Sequence, residues 1–121
     1  MPYTILIVED HEDARAYMVI MLRLYGFQVF EAADGNEALN AVELYHPDLI
    51  FMDISMPVMD GLEATRIIRA AGDINSRIPI IALTAFDNSY KMKALDAGCT
   101  ELIQKPVDFD KLAAIIRKYL P

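Results

Sequence analysis

The chain has 121 residues, 55% hydrophobic and 24% charged, which fits one globular domain and excludes disorder as its dominant state. A net charge of −7 disfavours whole-surface binding to nucleic acid or anionic lipid, which draws on clustered Lys and Arg. Cys99 is the single cysteine, so the chain forms no internal disulfide or cysteine-based zinc site, and a reducing, cytoplasmic compartment is expected.

In chain order, short β-branched apolar runs alternate with stretches of helical spacing. The first strand is predicted at Thr4–Val8. A helix follows, with Ala14, Tyr17, Met18, Met21, Leu22 and Tyr25 at three- and four-residue steps and Gly26 as its cap. The second strand is predicted at Phe27–Glu31 and the second helix at Asn36–Tyr45, stopped near His46 because Pro47 disfavours helical geometry before it. The third strand, Leu49–Met52, is continuously apolar, as suits a strand covered on both faces. Helix 3 is predicted at Leu62–Ala71, strand 4 at Ile80–Leu83, helix 4 at Asn88–Ala97 with Gly98 as its stop, strand 5 at Glu101–Gln104, and helix 5 at Phe109–Tyr119 behind Asp108. The apolar runs, such as residues 16–22, are too short to span a bilayer, and the opening residues lack the basic region of a signal peptide.

Strands and helices in alternation indicate an α/β domain with a doubly wound, five-stranded parallel sheet. The order 2-1-3-4-5 is expected, with ligands bound where the strand order reverses, between strands 1 and 3. Glu9 and Asp10 end strand 1, and Asp53 ends strand 3. These carboxylates would converge and repel one another, so the chain must raise a pKa or supply a cation. Thr84 ends strand 4 with a hydroxyl and Lys105 ends strand 5 with an ammonium. Three carboxylates and one ammonium leave −2, which one divalent cation neutralises; an all-oxygen set with few protein ligands suits Mg²⁺. A carboxylate beside Mg²⁺ and Lys can attack a phosphoryl donor and form an acyl phosphate.

On the segments Ile5-Leu6-Ile7-Val8-Glu9-Asp10, Pro47 through Gly61, Pro79 through Ala85 and Lys105-Pro106-Val107, the chain resembles a response-regulator receiver domain of two-component signalling, like the chemotaxis regulators. The resemblance implies a flavodoxin-like (βα)5 fold and one receiver domain over 1–121 with no effector domain. It implies that Asp53 is phosphorylated by a histidine kinase or histidine phosphotransfer protein. Asp10 and Asp53 would ligate Mg²⁺ directly, Glu9 mainly through water, and the Ser55 backbone carbonyl as the remaining protein ligand. Thr84 would turn towards the phosphoryl group, Lys105 would pair with it, and the Lys105–Pro106 peptide would be cis. Phosphorylation would switch binding of an output protein, through the helix 4–strand 5–helix 5 face, with no turnover of an external substrate.

One position departs from the family. Receivers usually carry Tyr or Phe three residues before the Lys, where this chain has Leu102, so the usual aromatic relay is not expected. Ser55 and Phe86 would border the path of the hydrolytic water. Phe86 offers no group to orient it, which points to slow or moderate self-dephosphorylation.

Plainer roles are expected elsewhere. Glu12 and Asp13 suit a helix start, and Asp60-Gly61 a turn into a helix. Cys99 suits a small buried residue, His11 a surface role, the methionines core filling, and Lys91 and Lys93 a solvated face. A receiver cut from a hybrid histidine kinase or a longer regulator fits nearly as well as a stand-alone regulator. An aspartyl-phosphate phosphohydrolase usually places Asp-x-Asp after strand 1, where this chain has Glu9-Asp10-His11. A flavodoxin-like cofactor binder needs a phosphate loop there instead of carboxylates.

Overall fold

The computed structural model describes residues 2–55, 60–85 and 90–121. Five strands, β1 (Thr4–Val8), β2 (Gln28–Ala32), β3 (Leu49–Asp53), β4 (Ile80–Thr84) and β5 (Glu101–Gln104), form one parallel sheet in the order β2-β1-β3-β4-β5. The helices are α1 (Glu12–Leu24), α2 (Gly35–Tyr45), α3 (Gly61–Ala70), α4 (Lys91–Ala97) and α5 (Phe109–Tyr119). A short 3₁₀ turn at Ile74–Arg77 was not anticipated from the sequence.

Because side chains alternate along a strand, each central strand feeds two cores. Leu6, Val8, Ile50, Met52, Ile80 and Ala82 face α2, α3 and α4. Ile5, Ile7, Leu49, Phe51, Ile81 and Leu83 face α1 and α5. Strands β3 and β4 are buried over their whole length, as their unbroken apolar runs require. The helices differ in how much they contribute. Helix α1 buries Met18, Val19 and Leu22, and α5 buries Leu112 and Ile115. Helix α4 buries only Ala94 and Ala97.

Boundaries follow local hydrogen bonding. Asp34, Asp60 and Asp108 cap α2, α3 and α5, each accepting from the N–H three residues on, at 2.8, 2.8 and 2.9 Å. Helix α1 starts earlier than the apolar spacing indicated, because Glu12 and Asp13 form its first turn and the His11 ring accepts from the Ala14 N–H. Strand β2 lies one residue later than expected, with Gln28 N–H bonded to the Tyr3 carbonyl. His46 ends α2 in the left-handed conformation (φ 46°), its Nδ1 3.0 Å from Asn75 Oδ1. The expected start of helix 4 at Asn88 lies outside the described residues; α4 begins at Lys91. Strands β3 and β4 each run one residue further than expected, which brings Asp53 and Thr84 inside the ladder. Met18 and Met52 fill core, but Met92 is exposed. Among the described residues, no helix is long and apolar enough to cross a membrane.

Candidate functional site

Parallel strands all end at one edge of the sheet, so the residues that follow them meet there. Register sets how closely. Val8 pairs with Met52, which puts Glu9 beside Asp53, and Asp53 itself pairs with Leu83. Thr84 pairs with Gln104, one residue before Lys105, and the Lys105 N–H donates to the Thr84 carbonyl at 2.7 Å. The Lys105–Pro106 peptide is cis.

Carboxylate oxygens of Glu9, Asp10 and Asp53 all lie within 4.8 Å of one another. Glu9 and Asp53 are almost wholly buried, at 1% and 2% exposure, while Asp10 faces solvent. Lys105 reaches across the sheet edge. Its Nζ lies 2.6 Å from Glu9 Oε1 and 3.1 Å from Asp53 Oδ2. The Ser55 N–H donates to Asp53 Oδ1 at 2.9 Å.

Burial pushes the Glu9 carboxyl up to about 7, and the shared contact with Asp53 adds to this; Lys105 only partly opposes it. Burial also works against ionisation of Asp53. The Glu9 contact, the Ser55 N–H and Lys105 outweigh it and hold Asp53 below the usual carboxylate range. Lys105 is raised: its own burial disfavours the ammonium, but the two carboxylates overcome it. The shared environment therefore favours a proton on Glu9 over Asp53, and Asp53 is the more acidic of the pair. The donors are all oxygen, one is open to solvent, and the carboxylates exceed the cations. That set fits a hard divalent cation that keeps several waters.

The chain matches the family model described as the response regulator receiver domain over residues 5–117. It belongs to that family. As a receiver it is 44% identical over 110 residues, 89% of this chain, to the CAI-1 autoinducer sensor kinase/phosphatase CqsS of Vibrio cholerae. It spans 16% of that kinase and about half of the response regulators it matches. The receiver domain of sensor histidine kinase PA1611 from Pseudomonas aeruginosa, solved with a magnesium ion in its active site cleft, is 37% identical. That likeness has a TM-score of 0.89 and covers 98% of each chain. The receiver domain of Ssk1 from Saccharomyces cerevisiae, solved with the histidine phosphotransfer protein Ypd1, is 32% identical. There the TM-score is 0.88, over 98% of this chain and 88% of that one.

The edge of this receiver brings Glu9, Asp10, Asp53 and Lys105 together, with the Ser55 N–H on Asp53 and the Thr84 backbone carbonyl on Lys105. Phe86 lies outside the described residues. Leu102 packs half-buried against the core beneath α4, and Tyr90 packs against the same core with Lys93 Nζ 5.1 Å from its ring centre. The Tyr119 hydroxyl donates to Glu101 beside Lys118. Cys99 is buried against Thr65, and burial pushes its thiol up, away from the reactive thiolate. Two residues gain a role that sequence reasoning did not assign. Gly61 sits so close to the end of β3 that a Cβ there would lie 2.3 Å from the Asp53 carbonyl oxygen. Arg15 reaches from α1 to the backbone of Glu9. Only the bare Asp-Gly pair hinted at the first, and nothing in the spacing hinted at the second.

Proposed function

We propose that Asp53 is the phosphoacceptor of this receiver, taking a phosphoryl group from a histidine kinase or a histidine phosphotransfer protein. The observation that carries the reading is a buried carboxylate kept ionised beside a lysine and two further carboxylates. Asp53 Oδ forms a bond to phosphorus as the bond to the donor imidazole nitrogen breaks, and that nitrogen keeps the electron pair. Lys105, already 3.1 Å from Asp53, pairs with the transferred group, and Thr84 hydrogen-bonds one of its oxygens. Asp10, Asp53 and the Ser55 carbonyl would hold Mg²⁺, with Glu9 acting mainly through water. The metal supplies positive charge for the phosphoryl oxygens. The magnesium site of the PA1611 receiver and the Ypd1 complex of Ssk1 support the cation and the donor class by likeness.

The chain acts on itself alone and turns over no external substrate. Its output is altered affinity for a partner protein on the α4–β5–α5 face, where Met92 and Leu95 are exposed. Phosphorylation favours the state in which Thr84 and Lys105 engage the phosphoryl group.

Incubation with acetyl phosphate and Mg²⁺, followed by intact mass, tests the assignment. One phosphoryl group is expected on the wild type and none on Asp53→Asn. An adduct that persists in the variant overturns it.

A further inference from the structure

We propose that Arg15 is a positioning residue for the metal-binding carboxylates, acting through the backbone of Glu9 on the direction in which Asp10 leaves the chain. The inference rests on the Mg²⁺ reading above and concerns what holds the acidic pair in place.

Glu9 and Asp10 differ in support. The Glu9 side chain is enclosed and bonded to Lys105 at 2.6 Å. Asp10 is exposed, at the turn between β1 and α1, so its position depends on the peptide that joins it to Glu9. The two peptide units flanking the Glu9 Cα are each held. The Glu9 N–H donates to the Ala32 carbonyl at the end of β2, at 3.0 Å. The Glu9 carbonyl accepts from Arg15 Nη1 at 2.8 Å.

Arg15 is itself fixed twice. Its own N–H donates to the His11 carbonyl at 3.0 Å, which seats it on the first turns of α1. Its Nε donates to Glu31 Oε1 on β2 at 3.0 Å, and its side chain is mostly enclosed, at 18% exposure. The planar guanidinium therefore spans a strand and a loop with two directed donors, a task a single ammonium performs only in part. Lys105 and Asp53 are the charged groups in contact with the Glu9 carboxylate, whereas Arg15 bonds to the Glu9 backbone. The effect of Arg15 runs through geometry.

Without Arg15 the Glu9 carbonyl loses a charge-assisted donor, and the turn relaxes towards water. Glu9 stays where Lys105 keeps it, and Asp10 moves. Residues that orient ligands through hydrogen bonds typically change metal affinity by about 10–100-fold. With one end of the turn still held by Ala32, the lower figure is expected here.

The test is Mg²⁺ binding by titration calorimetry on the full chain, with no phosphoryl donor present. Arg15→Met is expected to weaken Mg²⁺ by about tenfold. Arg15→Lys, which keeps one donor, should recover part of the loss. The decisive comparison is made in an Asp10→Asn background, where Arg15→Met should have little further effect because both changes act through one ligand. Circular dichroism at the titration temperature establishes that each variant is folded, and Arg15→Lys carries the test if Arg15→Met is not. Equal Mg²⁺ affinity in wild type and the folded Arg15 variants would overturn the proposal, as would full additivity with Asp10→Asn. Failure of the wild type to bind Mg²⁺ would instead overturn the metal assignment itself.

Discussion

In magnesium-free buffer the protein is expected to lose stability as the pH rises from about 5 to about 8, the reverse of a domain stabilised by ordinary ion-paired carboxylates. Glu9 is the cause. Its carboxyl is raised from 4.5 in the open chain to about 7 in the folded one, first by burial and then by its contact with Asp53. A carboxyl that binds its proton more tightly when folded contributes stability that is complete below the lower value. That contribution is lost as pH climbs through the upper one. At roughly 1.4 kcal/mol per pH unit across that interval of about 2.5 units, the loss is at most about 3.5 kcal/mol, with the opposing pull of Lys105 already contained in the value of about 7. Asp53 acts oppositely and elsewhere: its carboxyl is held below 3.8, so the stability it contributes is lost only in strong acid. Urea unfolding followed by circular dichroism between pH 5 and 8 measures the slope. Glu9→Gln should flatten it, and millimolar Mg²⁺ should restore stability at pH 8 by binding the folded state alone. A wild-type profile that is level or rising over this range would contradict the account.

Gly61→Val is expected to destabilise the fold by about 2–3 kcal/mol and to disturb the phosphoacceptor strand with it. A Cβ at residue 61 would stand 2.3 Å from the Asp53 carbonyl oxygen, 2.7 Å from Met52 Cγ and 2.9 Å from the Asp53 carbonyl carbon. Two of these neighbours are backbone in a strand bonded on both sides, so they cannot rotate away. Helix α3 must lift off the end of β3, which uncovers Leu62 and Ile68, or Asp53 must shift. Neighbouring Asp60 supplies the contrast. Asp60→Ala removes only the cap on the Glu63 N–H and should cost about 1 kcal/mol without changing the phosphoryl acceptance of Asp53. Denaturant midpoints and adduct yield, measured on both variants, separate lost capping from a displaced strand. A Gly61→Val protein as stable as the Asp60→Ala one would mean that α3 has room to move.

Sequence disclosed the fold through two periods. The unbroken runs at Leu49–Met52 and Ile80–Leu83 belong to strands with two covered faces, and both proved fully buried. Helical spacing disclosed α5 to the residue, because Asp108 marks its start and its apolar face is regular. Edges were less legible where a side chain rather than a periodicity decides them. At α1 the apolar pattern begins at Ala14, the acidic Glu12 and Asp13 point to the earlier start that the helix has, and only the capping His11 ring goes unsignalled. The four strand-end groups of the site were visible because a parallel sheet must gather them. What escaped were contacts made across the sequence by chemistry that has no spacing: the Arg15 bond to a backbone carbonyl, and the clearance that Gly61 gives to Asp53.

Helix α4 stands on two methyl groups. Each apolar carbon withdrawn from water contributes on the order of 0.8 kcal/mol, so Ala94 and Ala97 anchor their helix far more weakly than Leu112 and Ile115 anchor α5. Sub-global opening should therefore begin at α4, and its amides should exchange with solvent before those of α1 or α5. A charge arriving at the sheet edge has only a small adhesion to overcome in order to move this helix. Among the five helices, the thinness of its footing makes α4 the one expected to rearrange most readily.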